Sequence, residues 1–457
     1  MRLVFDHGTI LVCEPRPGLD LSDLPGVLWD PRVKAYRAPA YRHRTLSVEL
    51  LRRGIPFSDE VRRARPLTGT WAPIELRPYQ DAALCAWELA QRRAVIVLPT
   101  GSGKTRVAIT AIARSGVSAL CLVPTRVLLD QWLRVIAGAY TGPVGCYGDG
   151  LHEIGEVTVA TFESAYRHMG QLGSRFDLLV VDEAHHFGCG VRDEALEMSI
   201  AESRLGLTAT PPRDGAASQR LAGLIGSTAY ELTIGDLAGC FLAGFDAVTL
   251  HLDLTSVERE AYESWMALFR AVHTQLRRLA PAATWAEFAR AAARTAEGRH
   301  ALESFQRARR LLAFTDAKRK ALASLLHRHR HSRVLIFTAD NESTYAVARE
   351  HLVMPFTCDI GRKERDEALG RFREGILRAL VSARVLNEGI DVPDADVAIV
   401  VGGAFGEREH VQRVGRLLRP REGKRALVYE LVSRNTIEVR MARRRQKGLA
   451  PRGTPTL

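Results

Sequence analysis

The sequence has few of the features that mark secreted proteins, proteins stabilised by a structural metal ion, or membrane proteins. Its seven cysteines are scattered, without the close pairs that zinc sites and disulfide frameworks use. We therefore expect reduced cysteines and a cytoplasmic location. Residues 1–7 include Asp6, and no long apolar run follows them. We therefore predict neither a signal peptide nor a membrane span.

Acidic residues are also fewer than basic residues. Lysine and arginine together number 64 against 52 acidic residues, which gives a formal net charge of +12. Such a balance favours polyanionic partners. Many basic proteins never bind nucleic acid, so charge alone does not identify the partner.

The order of apolar runs predicts an α/β fold with two lobes. Between residues 71 and 230, short runs rich in valine and leucine alternate with stretches of helical period, which is typical of a parallel sheet with crossover helices. These runs are residues 94–98, 119–123, 178–181 and 205–207. The alternation returns at residues 334–337, 379–381 and 398–401.

Two further segments differ from these lobes. Residues before 69 place aromatic side chains and arginines among turn residues, which indicates a small α+β domain. The stretch at about 256–313 is rich in alanine, arginine and leucine, and we interpret it as a helical insert with Phe269, Trp285 and Phe305 as apolar anchors. We divide the chain into a small N-terminal domain at 1–66, a first lobe at 67–240, a second lobe at 241–450 and a tail at 451–457.

A glycine-rich turn predicts a phosphate site. Residues 98–105 read LPTGSGKT between a buried-looking strand and a helix, where backbone amides form an anion nest. Lys104 would supply charge to the outer phosphates of ATP, and Thr105 would ligate Mg²⁺. The other cofactor-binding candidates in this loop are Thr100, Gly101, Ser102 and Gly103. The strict pattern has glycine where Leu98 stands, and a chance glycine-rich turn is the alternative.

Two adjacent carboxylates complete the prediction. Residues 180–185 read VVDEAH at a strand end, so Asp182 is predicted to hold Mg²⁺ and Glu183 to orient the attacking water. An acidic strand end alone is more often a helix cap or a solvated turn. Its combination with Lys104 favours phosphoryl transfer.

The second lobe contributes a pair of arginines. Residues 412–419 read QRVGRLLR, which places Arg416 and Arg419 on one face of a helix. Arginines supplied across an interface stabilise transition-state charge, so hydrolysis would require lobe closure. A basic solvated helix is the alternative.

In this order the motifs resemble those of superfamily 2 helicases, from Leu76 to Arg419. The resemblance implies two RecA-like lobes that use ATP and Mg²⁺ and bind nucleic acid. It assigns Gln80 and Arg77 to adenine recognition, Asp391 to the ribose, and residues 208–210 (TAT) to the coupling of hydrolysis with movement. It assigns contacts with the nucleic-acid strand to Thr125, Arg126, Thr161, Phe162, Thr338 and Ser382.

Within that superfamily the chain resembles the XPB family in its compact archaeal and bacterial form. Residues 386–393, residues 412–420 and the N-terminal WDPR at 29–32 carry this resemblance. It implies a 3′ to 5′ DNA helicase with a thumb-like insert, active in nucleotide excision repair or duplex opening. The implied partners are single-stranded DNA, junctions or distorted duplex, and a nuclease; we expect a monomer.

One motif departs from the family. After the residues 208–210, relatives tend to read Arg-Glu-Asp, whereas this chain has Arg213, Asp214 and Gly215. The missing glutamate makes strand separation less secure than ATP hydrolysis and translocation. A restriction-type duplex DNA translocase, an RNA helicase and a DNA-binding clamp without turnover are the competing interpretations.

Overall fold

The computed structural model of the 457-residue chain describes residues 1–15, 20–24, 26–61, 66–212, 214–237, 241, 244–281, 283–357, 359–383, 395–402 and 425–447. The predicted site residues Asp391, Arg416 and Arg419, and also Arg213, lie outside these ranges. The described residues form two compact units, one ending at Thr233 and the other beginning at Ile234.

The first unit begins with a small α+β domain. Its five-stranded sheet has the order β3-β4-β2-β1-β5, and the helix α1 packs on one face. Alternate residues such as Leu3, Ile10 and Val12 point into one core, as the period of a half-buried sheet requires. The elements are β1 (Arg2–Asp6), β2 (Thr9–Cys13), β3 (Leu28–Asp30), β4 (Ala35–Pro39), α1 (His43–Arg52) and β5 (Ser58–Asp59).

The rest of the first unit is a parallel α/β lobe. Its strands have the order β13-β6-β12-β11-β7-β10-β8-β9, and only the β8–β9 hairpin is antiparallel. The central strands β7, β10 and β11 are buried along their whole length, as the apolar runs predicted. The strands are β6 (Arg93–Val97), β7 (Ala119–Val123), β8 (Val144–Gly148), β9 (Leu151–His152), β10 (Val157–Thr161), β11 (Leu178–Val181), β12 (Ser203–Thr208) and β13 (Thr228–Glu231).

Helices connect these strands. Each crossover helix returns the chain to the amino end of the next strand, so the carboxyl ends of the parallel strands meet at one edge. The helices are α2 (Pro78–Leu89), α3 (Lys104–Ser115), α4 (Arg126–Ala137), α5 (Phe162–Leu172), α6 (Glu194–Glu197) and α7 (Gly215–Leu224).

The second unit contains another parallel sheet, of order β14-β19-β18-β15-β17-β16. Its elements are α8 (Ile234–Leu237), β14 (Gly244–Leu252), α9 (Ser256–Leu279), α10 (Trp285–Ala292), α11 (Ala296–Ala313), α12 (Asp316–Arg328), β15 (Val334–Phe337), α13 (Asn341–His351), β16 (Met354–Pro355), α14 (Arg362–Arg373), β17 (Ala379–Ser382), β18 (Val397–Val400), β19 (Arg425–Ser433) and α15 (Ile437–Lys447). The predicted fold class, two parallel α/β lobes after a small N-terminal domain, is confirmed.

The helices between β14 and β15 form an excursion from this sheet. Because β14 pairs with β19, the chain leaves the sheet at Leu252 and rejoins it at Val334. The predicted anchors belong to one aromatic cluster, in which the rings of Phe269 and Phe305 stack with centroids 4.4 Å apart and Trp285 packs against both. Helix packing is therefore the observed use of these three rings.

The predictions about membrane spans and about reduced cysteines both concern described residues. None of the helices in the described ranges is long and apolar enough to cross a membrane. The cysteines described there as free are Cys13, Cys85, Cys121, Cys146 and Cys189.

A fully buried arginine stabilises the first lobe. The guanidinium of Arg204 on β12 donates hydrogen bonds to the main-chain oxygens of Ala201, Leu196, Leu224 and Ser199, at 2.7–3.0 Å. Burial lowers the pKa of Arg204 to about 9, because desolvation opposes the charged form. The rigid fork of donors holds together chain segments on either side of β12.

We expect Arg204→Lys to destabilise the lobe by about 3 kcal/mol, because one ammonium cannot satisfy the same set of buried carbonyls. Urea unfolding followed by tryptophan fluorescence measures this loss, since Trp87 donates its indole hydrogen bond to the main-chain oxygen of Arg204. The exposed pair of Arg167 with Glu163 provides the control, Arg167→Lys, with an expected change below about 0.5 kcal/mol. Equal stabilities for the two variants would contradict this role.

Candidate active site

The candidate site lies at the carboxyl edge of the first parallel sheet. Strands β6, β12 and β11 are neighbours there, and each is followed by a predicted motif. The amide of Leu98 donates to the carbonyl of Thr208 at 2.9 Å, and that of Asp182 to the carbonyl of Leu122 at 2.9 Å. Ladder hydrogen bonds therefore continue into the motifs and fix their relative positions.

The phosphate loop joins β6 to α3. Gly101 and Gly103 have φ of 83° and 81°, a region that disfavours other residues, and a Cβ at Gly103 would lie 2.5 Å from the side-chain nitrogen of Gln80. Lys104 opens α3, and its Nζ lies 3.3 Å from the carbonyl oxygen of Leu98. Thr105 follows it and is half-buried. The sequence thus places the loop's amides at a helix start, where anions bind.

Gln80 and Tyr79 clamp this loop from α2. The amide of buried Gln80 donates to the carbonyl of Ser102 at 2.7 Å, and the hydroxyl of Tyr79 donates to the same oxygen at 2.7 Å. The other end of the Gln80 amide accepts from the backbone of Arg77 at 2.9 Å. Adenine recognition by Gln80 and Arg77 stays a prediction, whereas a role of Gln80 in positioning the loop is directly visible.

Asp182 is buried and held by two donors. Its Oδ2 accepts from the indole of Trp132 at 3.1 Å, and its Oδ1 from the amide of Glu183 at 2.9 Å. Burial raises the pKa of Asp182 to about 6; the charge of Glu183 acts in the same direction and that of Lys104 opposes it. A cation at this carboxylate would favour its charged form.

Glu183 belongs to a different set of contacts. Its backbone is left-handed, with φ of 48°, and its Oε2 is 3.3 Å from Nδ1 of His185. The same Nδ1 lies 2.9 Å from Oγ of Thr208, which donates to the carbonyl of Thr210 at 3.0 Å. Nδ1 of His185 therefore lies between the Glu183 carboxylate and residues 208–210, a position that we did not predict for it.

Several buried polar atoms at this edge have no hydrogen-bond partner among the described residues. They include the hydroxyl oxygens of Thr100 and Thr210, the Oε2 of Glu183 and the Nε2 of His185. Buried polar groups normally have a hydrogen-bond partner, either in the protein or in ordered water. Hydroxyl and carboxylate oxygens suit Mg²⁺ and its bound water, so this donor set fits a magnesium nucleotide.

The predicted strand-contacting residues of the first lobe lie at two helix starts. Thr125 caps α4 by accepting from the amide of Leu128, and Thr161 caps α5 by accepting from that of Ser164. Arg126 is exposed and pairs with Asp149 at 2.6 Å. Phe162 is buried in the core, so its ring offers no surface to a strand. Amides at helix starts attract phosphates, which gives these positions a physical basis for strand contact.

The predicted strand-contacting residues of the second unit, Thr338 and Ser382, are buried. The hydroxyl of Thr338 contacts that of Thr344 at 2.6 Å, and Ser382 is fully buried with no hydrogen-bond partner for its hydroxyl among the described residues. The amide of Thr338 donates to the carbonyl of Ser382 at 3.1 Å, so the two motifs are adjacent. Any strand contact here would come from neighbouring main-chain groups. Asp391, Arg416 and Arg419 lie outside the described part of the chain.

Family comparisons agree with the position of these motifs. The sequence pattern of the xeroderma pigmentosum group B helicase damage recognition domain matches residues 3–61, that of the type III restriction enzyme res subunit matches 73–213, and that of the helicase conserved C-terminal domain matches 317–421. The "DNA 3'-5' translocase XPB2" of Sulfurisphaera tokodaii is 33% identical over 94% of this chain and 98% of its own. The chain belongs to the XPB family of helicases.

Other relatives are longer. The "DNA 3'-5' helicase XPB" of Mycobacterium tuberculosis is 28% identical over 85% of this chain and 66% of its own. The XPB subunit of the general transcription and DNA repair factor IIH from Dictyostelium discoideum is 25% identical, and the chain spans 46% of its length. The predicted XPB-like identity is confirmed, and the restriction-type and RNA-helicase alternatives are not favoured.

Solved structures support the fold. The helicase domain of Pyrococcus furiosus Hef superposes with a TM-score of 0.54 at 17% identity and covers 80% of this chain and 97% of that one. Saccharomyces cerevisiae Dbp5 bound to RNA superposes with a TM-score of 0.55 at 17% identity, over 81% of this chain and 87% of that one. These likenesses concern the fold alone.

We expect Lys104→Ala and Glu183→Gln both to abolish ATP turnover in this XPB-family protein, by different routes. The alanine variant should lose nucleotide affinity, because a charge facing the phosphates is removed. The glutamine variant should bind ATP like the wild type, because the phosphate loop is intact. Equilibrium binding of a fluorescent ATP analogue, combined with phosphate release, separates the two.

The controls for these variants are exposed residues of like chemistry. Lys320, paired with Asp316, gives Lys320→Ala, and Glu350, paired with Arg319, gives Glu350→Gln. Both controls should hydrolyse ATP normally. Normal hydrolysis by either site variant would refute its assigned role.

Proposed function

We propose that the chain is an ATP-driven DNA helicase or translocase that moves 3′ to 5′ along the strand it grips. The observation that carries this proposal is the convergence of Lys104, Asp182 and Glu183 at the carboxyl edge of one sheet, in a chain of the XPB family. The named relatives act on DNA with this polarity.

In the proposed cycle each group of the first lobe has a separate task. The amides of the loop and Lys104 would bind the phosphates, and Thr105 and Asp182 would hold Mg²⁺, which would supply positive charge beside them. Glu183 orients the attacking water. Phosphoryl transfer depends mainly on positioning and charge stabilisation, which fixed groups at a buried sheet edge provide.

Arg416 and Arg419 would supply the remaining charge from the second lobe, and Asp391 would contact the ribose. This assignment rests on the order and spacing of the sequence motifs. An arginine finger contributes roughly 10³ to 10⁵ in rate, so hydrolysis would be fast only when the lobes close. Closure and reopening would then drive the movement along DNA.

The strand itself would be held through its phosphates. The starts of α4 and α5, with Thr125, Arg126 and Thr161, offer amides, hydroxyls and a guanidinium, which contact backbone rather than base edges. We therefore propose little sequence preference. Single-stranded DNA and junctions or distorted duplex are the proposed substrates.

The biological setting follows from the relatives. We propose a part in nucleotide excision repair or duplex opening, by analogy with subunits named for transcription and DNA repair. A nuclease partner, a monomeric state and a cytoplasmic location are further proposals that rest on the resemblance and the scattered cysteines.

Asp214, in the segment that lacks the family's glutamate, caps α7 by accepting from the amide of Ala216.

Unwinding of partial duplexes tests the direction of movement. A duplex with a 3′ single-stranded overhang should be separated or traversed, whereas one with a 5′ overhang should remain intact. Displacement of a fluorescent strand reports separation, and displacement of streptavidin from a biotinylated end reports translocation without separation. A preference for the 5′ overhang, or stronger ATPase stimulation by RNA than by DNA, would reject the proposal.

Salt dependence tests the mode of strand binding. The affinity for single-stranded DNA should fall as salt rises, with a slope of about −0.7 per phosphate neutralised. Fluorescence anisotropy across a salt series measures this slope. Arg126→Ala should reduce the magnitude of this slope by about 0.7, whereas the exposed control Arg167→Ala should leave the slope unchanged. A flat response in the wild type would exclude a phosphate-lined path.

A further inference from the structure

A buried hydrogen bond connects a strand-contacting helix to the proposed metal ligand. The indole nitrogen of Trp132, on α4, donates to Oδ2 of Asp182 at 3.1 Å. Trp132 is 1% exposed and Asp182 is 6% exposed. Hydrogen bonds to charged groups in such surroundings are strong and directional, so this bond restricts the orientation of the carboxylate.

The same helix begins at the proposed strand site. Thr125 caps α4, and exposed Arg126 is its first residue. Trp132 lies six residues farther along, a rise of about 9 Å. Seven residues from Thr125 correspond to nearly two whole turns, so Thr125 and Trp132 lie on nearly the same side of the helix.

Helix α4 is suited to transmit a displacement. It is continuous from Arg126 to Ala137, and its buried residues Leu129, Trp132 and Ile136 anchor it on the sheet. A hydrogen-bonded helix shifts as a unit more readily than it deforms. A small movement at its start would therefore change the position of the indole that is hydrogen-bonded to Asp182.

We propose that Trp132 is a positioning residue that orients Asp182 for magnesium and couples this orientation to strand binding at the start of α4. The inference rests on the proposed role of Asp182 as metal ligand. A hydrogen bond to a ligating carboxylate tunes metal affinity, and loss of such a bond typically weakens binding 10- to 100-fold. Strand binding and metal binding would then strengthen each other, since such coupling is reciprocal.

The first test measures metal binding directly, with Mn²⁺ and ADP followed by electron paramagnetic resonance. Trp132→Phe keeps most of the buried ring volume but removes the donor, so we expect Mn²⁺ affinity to fall about tenfold. Trp87→Phe is the matched control, because Trp87 is equally buried in the same lobe and its indole donates to the carbonyl of Arg204 at 2.9 Å. This control should remain within about twofold of the wild type.

Asp182→Asn separates the premise from the inference. Loss of Mn²⁺ affinity in Asp182→Asn together with equal affinities for Trp132→Phe and Trp87→Phe would overturn the role of Trp132 and leave that of Asp182 intact. Unchanged affinity in Asp182→Asn would instead reject Asp182 as the ligand.

The second test adds single-stranded DNA. In the wild type, a saturating oligonucleotide should raise Mn²⁺ affinity, and this gain should shrink to near zero in Trp132→Phe but persist in Trp87→Phe. A gain of equal size in both variants, or none in the wild type, would overturn the coupling.

A third measurement needs no folded Trp132 variant. The chain has six tryptophans, which 5-fluorotryptophan labels for ¹⁹F NMR. Phenylalanine variants of the other five assign the Trp132 signal by elimination. That signal should shift on addition of Mg²⁺ with ADP and shift again with the oligonucleotide, whereas a stationary signal would contradict the proposal.

Discussion

Parallel pairing of β6, β12 and β11 is the constraint on which the site depends. These strands are neighbours in the sheet although they are far apart in sequence, and each ends at the same edge. The hydrogen bond from the amide of Leu98 to the carbonyl of Thr208 carries the register past the last paired strand residues into the motifs. Because the buried strands tolerate no slip, the loop and the carboxylates keep fixed positions before any ligand arrives.

Neighbouring carboxylates at this edge are connected to different parts of the lobe. Asp182 accepts a hydrogen bond from Trp132 of α4, whereas Glu183 lies 3.3 Å from His185, which is hydrogen-bonded to Thr208 at the end of β12. The peptide bond between Asp182 and Glu183 thus joins two separate sets of contacts. If Asp182 and Glu183 have the proposed roles of metal ligand and water-orienting base, this arrangement would let separate elements of the lobe influence the two.

The sequence predicted the fold through strong local signals. Continuous apolar runs such as residues 178–181 become strands buried on both faces, and the glycines at 101 and 103 supply the left-handed turn that the loop needs. The site was harder to predict where contacts are long-range. Trp132 fits the apolar face of an amphipathic helix, so its pattern indicates core packing, and nothing local reveals that its indole reaches Asp182. Arg204 likewise looks like a polar residue in a strand, and only the tertiary fold supplies its four carbonyl partners.

The strand order of the second sheet has a consequence for biosynthesis. Strand β14 is the first strand of this sheet along the chain, yet the neighbour with which it pairs is β19, roughly 180 residues later. A nascent chain leaving the ribosome cannot complete the sheet until the residues of β19, which ends at Ser433, have been translated. During that interval β14 lacks its partner, whereas the cluster of Phe269, Trp285 and Phe305 lies wholly within the intervening helices and can form first. A chaperone that shields unpaired strand edges during synthesis would therefore bind this half of the chain.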